Sequence, residues 1–175
     1  MENQTLQQQE KIKKQIRLLI IFFMAGLVLS GITAFPIQTQ LEIAHQFIQK
    51  EHWQNEFTDW VEKVYYGVRE TDALYPFISY GTDWLAFAHL VIAIAFIGPL
   101  RDPVRNIWVI QFGLIACICV FPLALIAGEI RGIPFFWRMI DCSFGVFGGI
   151  ALWSCYWRIR WLERMVRHKV ETTLT

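Results

Sequence analysis

Long apolar runs alternate with charged segments along this chain, and the length of the runs decides the architecture. A run needs about 20 residues, at roughly 1.5 Å of rise each, to span a ~30 Å hydrocarbon core. Four runs approach that length, over about 17–36, 80–100, 106–127 and 134–158. They predict an all-α integral membrane protein, a four-transmembrane-helix bundle forming a single membrane domain over 1–175. Residues 1–15 are polar and Gln-rich, and are expected to form a helical or frayed arm.

Between the first two runs, residues 37–79 are polar and carry Glu42, Glu51, Glu56, Asp59, Glu62, Glu70 and Asp72 against Lys50, Lys63 and Arg69. Within them Phe57, Trp60, Val61, Val64 and Tyr65 recur at the spacing of an amphipathic helix, and Ile43 and Phe47 suggest a second such turn. Helices of this kind lie on a membrane surface or cap a bundle. Tyr75, Tyr80 and Trp84 then form an aromatic belt at the start of the second run. In the tight link 101–105, Asp102 is placed to cap the next helix and Pro103 to occupy its first position. Pro122 predicts a kink in the third run.

Small residues recur at helical spacing in each run: Gly26, Ser30 and Thr33; Ala86 and Ala93; Gly113, Cys117 and Ala124; Gly145 and Gly149. Such stripes let membrane helices approach closely. Cys117, Cys119 and Cys142 fall inside apolar runs and Cys155 near the end of one, without CxxC spacing, so all four read as small hydrophobes.

Composition agrees with the pattern: 55% of residues are hydrophobic and mean hydropathy is +0.37. A net charge of +1 excludes a strongly basic nucleic-acid binder. No small-residue cleavage site ends the first run, so residues 17–36 are expected to stay in the protein. The distribution of charge sets orientation. Lys11, Lys13, Lys14, Arg17, Arg101, Arg105, Arg158, Arg160, Arg164, Arg167 and Lys169 fall on one face, against Lys50, Lys63, Arg69 and Arg131 on the other. The positive-inside bias then places both termini in the cytoplasm, the segment 37–79 outside, and the chain in the cytoplasmic (inner) membrane of a cell. The tail 159–175, with Trp153, Trp157 and Trp161 nearby, reads as an anchor to anionic lipid rather than to nucleic acid.

Candidate chemistry gathers toward the outer half. An ionisable group at the bilayer centre costs roughly 2.5–3.5 kcal/mol on insertion scales, so each one calls for a partner, water or a function. Asp83 and His89 on the second run, Glu129 and Arg131 in the outer link, and Arg138 and Asp141 on the fourth run form the candidate ligand-binding set. His89 lies roughly 14 Å below the outer end of its helix, near the midplane. Arg138, Asp141, Gly145 and Gly149 share one face of the fourth helix. Arg138 and Asp141 read either as a structural ion pair or as an anion contact made by Arg138 and held by Asp141.

A b-type haem wants two axial histidines at depth and only His89 is there, so no cofactor is expected. Glu42, His45 and His52 are too loosely spaced for a metal site, and Gln111 is expected to bridge helices. No P-loop, GxSxG, HExxH or dinucleotide fingerprint is present. The leading expectation is an outer-leaflet polar pocket for a lipid, quinone-like or other small amphipathic ligand. Two alternatives stay open. One is an embedded enzyme acting on a lipid, with His89 or Asp141 as acid or base. The other is an accessory subunit of a membrane complex, or a homo-oligomer, associating through its glycine stripes.

Overall fold

The computed structural model describes residues 2–52 and 54–174, with side chains described for 7–52 and 54–165. The side chains of Arg167, His168 and Lys169 in the tail, and those of residues 1–6 in the arm, thus lie outside the described residues. Every regular element among the described residues is a helix: α1 (Glu2–Ala34), α2 (Ile37–Glu51), α3 (Glu56–Leu74), α4 (Pro76–Ala95), α5 (Ile97–Arg101), α6 (Ile107–Pro122), a π-helical turn (Leu123–Ala127), α7 (Gly128–Ile130) and α8 (Phe135–Leu174). Four stretches are long and apolar enough to cross a membrane: Gln7–Ala34, Pro76–Arg101, Ile107–Ile130 and Phe135–Met165. They coincide with the four runs of the sequence, and each extends beyond its expected span at one end at least.

The extensions have simple causes. No glycine or proline follows Gly149 before Leu174, so α8 continues without a break through the basic stretch that was expected to form a separate tail. The arm likewise belongs to α1. In the opposite sense, Pro99 has no N–H to give the Ala95 carbonyl, and the second apolar helix breaks there into α4 and α5. Asp102 does cap, but it caps a turn: its carboxylate accepts from the Arg105 N–H at 3.0 Å. Asn106 precedes α6 and donates from its amide to the carbonyls of Gly98 (3.2 Å) and Asp102 (2.9 Å). Pro122 ends the regular part of α6 and the chain widens into the π turn.

Contacts divide the chain into two compact units, with the dividing lines inside α1 and α4. The first comprises Met1–Ala25 and Ile94–Thr175. In it α6 and α8 pack antiparallel: a Cβ at Gly145 would stand 2.7 Å from the Cys117 carbonyl oxygen, and one at Gly113 would stand 2.6 Å from Leu152 Cδ1. The beginning of α1 lies along α8, with Phe23 against Gly148 and the Gln15 side-chain oxygen accepting from Arg158 Nε at 3.2 Å. Ile16, Ile20, Ile110, Leu152, Cys155 and Ile159 are fully buried. Cys117, Cys142 and Cys155 are buried, Cys119 is exposed, and all four are free thiols.

The second unit is Gly26–Ala93. Here the stripe expected on the first helix is displaced. Gly26 and Thr33 are exposed, and Thr33 returns its hydroxyl to the Leu29 carbonyl at 2.8 Å. Gly31 is the buried residue, against the Ala86 carbonyl and the Cβ of His89 in α4. A step of one residue is about 100° of helix, and only a partner helix decides which of two adjacent small residues it meets.

In the same unit α2 and α3 pack as a hairpin. Asn55 caps α3 by accepting from the N–H groups of Phe57 (2.9 Å) and Thr58 (3.0 Å), and its own N–H donates to the Thr58 hydroxyl at 2.9 Å. Both sides of this capping box are thereby satisfied. Ile48, Thr58, Val61 and Tyr65 are buried. Phe57, expected on the apolar face, is among the exposed side chains.

Candidate functional site

Of the charged candidates in the first unit, Glu129 and Arg138 meet at the corner between α7 and α8. Gly132 adopts φ +68°, a left-handed conformation open to glycine at little cost. It lets the Gly132 N–H reach the Glu129 carbonyl (3.0 Å) and the Ile133 N–H reach the Gly128 carbonyl (2.9 Å), which is a Schellman closure. Gly128 has a close neighbour in this corner: a Cβ there would stand 2.8 Å from Arg138 Cδ.

Arg138 is therefore held from several sides. It forms an ion pair with Glu129, donates from Nη1 to the Leu125 carbonyl at 3.3 Å, and stands 5.4 Å from the centroid of the Phe135 ring. Leu125 lies in the π turn. The Arg138 side chain is 13% exposed, whereas that of Glu129 is 69% exposed. Asp141 is half-buried and joins no ion pair among the described residues. The reading of Arg138 and Asp141 as partners is thus corrected. Helical side chains lean toward the N-terminus of their own helix, so Arg138 reaches back to the α7 corner and away from Asp141, one turn on. Arg131 caps α7 with its backbone and leaves its side chain exposed. Gln111, expected to bridge helices, is exposed.

Asp83 and His89 belong to the second unit, both half-buried on α4. His89 Nδ1 donates to the Leu85 carbonyl, one turn earlier, at 2.8 Å. That bond sets the tautomer: in the neutral ring the proton sits on Nδ1 and Nε2 is left as the acceptor.

Two features of this unit were not anticipated. The first is a polar, aromatic seam between α2 and α3. His45 stacks on Tyr65 with centroids 4.3 Å apart, its Nδ1 lies 3.7 Å from Glu62 Oε1, and Gln49 Nε2 donates to the same oxygen at 2.6 Å. Arg69 donates to the Tyr65 hydroxyl at 3.1 Å. Among the described residues no group of three or more His, Cys, Asp or Glu side chains could hold a metal ion.

The second feature is a cleft of about 430 Å³ between α3 and α4. Trp60, Val64, Gly67 and Val68 form one wall and Ile78 and Thr82 the other. Lys63, Thr71 and Ser79 bring polar groups to it, and the Lys63 ammonium lies 5.7 Å from the Trp60 ring centroid. A signal for it was present in the sequence. Trp60, Lys63, Val64, Gly67, Val68 and Thr71 follow one helical face, and Gly67 leaves a gap in the middle, with nothing within 4 Å of a Cβ placed there.

Fold and site together define a class: an all-helical chain with four helices of membrane-spanning length and hydropathy, bearing an apolar cleft edged by a cation. No protein-family model matches the chain, and neither do curated proteins or solved structures. The functional reading rests on the geometry.

Proposed function

We propose that this is a multi-pass protein of the cytoplasmic membrane that binds a lipid or small amphipathic molecule in the cleft between α3 and α4. The cleft carries the reading. Its volume of about 430 Å³ falls within the roughly 300–1,000 Å³ of small-molecule sites, and such sites combine apolar walls with a few polar groups. Trp60, Val64, Val68 and Ile78 suit a hydrocarbon chain, and Lys63, Thr71, Ser79 and Thr82 suit a polar head.

The excess of Lys and Arg around the arm, the α5–α6 link and the end of α8 supports cytoplasmic termini. With that orientation α2 and α3 lie on the outer side, and the cleft opens at the outer leaflet. The exposed Ile43, Phe47, Tyr75, Phe77 and Tyr80 are then suited to the interface. The cleft is a better ligand site than the Arg138 corner, because Glu129, a carbonyl and a ring already surround the guanidinium, although its buried Nε has no hydrogen-bond partner.

The test is lipid retention. Wild-type protein purified in mild detergent is expected to carry lipid into native mass spectrometry. Gly67→Leu, which projects a side chain into the cleft without striking a neighbour, is expected to lose it while keeping the helical circular-dichroism spectrum. Equal retention by wild type and Gly67→Leu would remove the cleft as the site.

A further inference from the structure

We infer that the ligand of this cleft is an anionic phospholipid whose phosphate rests on the Lys63 ammonium, an inference that builds on the binding function proposed above. Lys63 is charged, lines the cleft, and joins no ion pair among the described residues. Its neighbourhood does not lack acids. Glu62 is adjacent, but its carboxylate is turned to α2, where it accepts from Gln49 at 2.6 Å and lies 3.7 Å from His45 Nδ1. Asp59, one turn earlier on the Lys63 face, makes no ion pair with it.

The α2–α3 seam thus engages Glu62 and leaves Lys63 without a carboxylate partner at the edge of an apolar trough. The Trp60 face, 5.7 Å from the ammonium, orients the cation without neutralising it. A zwitterionic headgroup brings its own cation to the site, whereas a phosphodiester with a neutral headgroup does not.

The experiment titrates the full-length, detergent-purified protein with phosphatidylglycerol or phosphatidylcholine of identical acyl chains and reads bound lipid by native mass spectrometry. Wild type is expected to prefer phosphatidylglycerol. Lys63→Gln is expected to lower the phosphatidylglycerol-to-phosphatidylcholine ratio about fivefold, the scale of one basic residue at an anionic surface, by weakening phosphatidylglycerol more than phosphatidylcholine. Lys63→Arg is expected to retain the preference. Equal binding of the two lipids by wild type, an unchanged ratio in Lys63→Gln, or displacement of bound phosphatidylglycerol by equimolar oleate would each overturn the assignment while leaving the cleft a binding site. Binding of neither lipid would overturn both.

Discussion

The α6–α8 pair of the first unit and the α2–α3 hairpin of the second each hold two helices together, and they do so with opposite chemistry. Along α6 and α8 the contact is made by absence of side chain: Gly145 admits the Cys117 carbonyl and Gly148 admits Phe23 and the Cys117 thiol. Between α2 and α3 it is made by side chains that hydrogen-bond and stack, with Gln49, His45, Glu62 and Tyr65 meeting beside a capping box. In hydrocarbon, apolar side chains gain nothing by leaving lipid, so close backbone approach is the available source of attraction. Where water is at hand, aromatic and charged groups can be half-buried, and here the Glu62 carboxylate and the Tyr65 hydroxyl are hydrogen-bonded while the buried His45 Nδ1 is not. The two seams are therefore suited to different solvents, which agrees with the proposed membrane placement.

The comparison can be broken most sharply at Gly145. Gly145→Val sets a branched side chain against backbone, which cannot rotate away, and is expected to cost about 3 kcal/mol, the upper end of ordinary overpacking. Unfolding titrations in mixed detergent would register it as a large loss of stability, and a change below about 1 kcal/mol would show that the α6–α8 seam is looser than described.

A smaller effect is expected in the hairpin. Asn55→Ala removes the acceptor of two N–H groups and should cost about 1 kcal/mol, confined to the start of α3. Hydrogen exchange at Phe57 and Thr58 would then quicken roughly fivefold, while the α6 and α8 amides stay unchanged.

The smallest belongs to the ion pair of the corner. Glu129 is largely exposed, so water and salt screen its attraction to Arg138, and Glu129→Gln is expected to cost about 0.5 kcal/mol. The same unfolding titration would detect it as a shift that shrinks in high salt. A loss as large as that of Gly145→Val would mean that charge, and not close packing, holds the first unit together.

Much of this architecture is legible in the order of residues. Four apolar runs are long enough to span a membrane, and the helices follow them because run length depends on composition alone. The proline effects are similarly local: Pro99 and Pro122 each remove a donor, and the helix breaks at one and widens at the other. Gly113, Cys117 and Ala124 are buried as their spacing implied, and Gly145 and Gly149 lie against Cys117.

Pairings across the chain were a different matter. That Arg138 meets Glu129 rather than Asp141, that Gly31 rather than Gly26 packs against α4, and that Gly67 leaves a cleft all depend on which neighbour arrives from elsewhere. Periodicity places a residue on a face of its own helix; it carries no record of what that face will touch. The apolar runs, the breaks, and the stripes of α4, α6 and α8 were thus determined by sequence alone, because local sterics and hydropathy suffice for them; the stripe of α1 was not. The partners of the charges and the shape of the cleft were decided by tertiary structure, because each is a relation between helices.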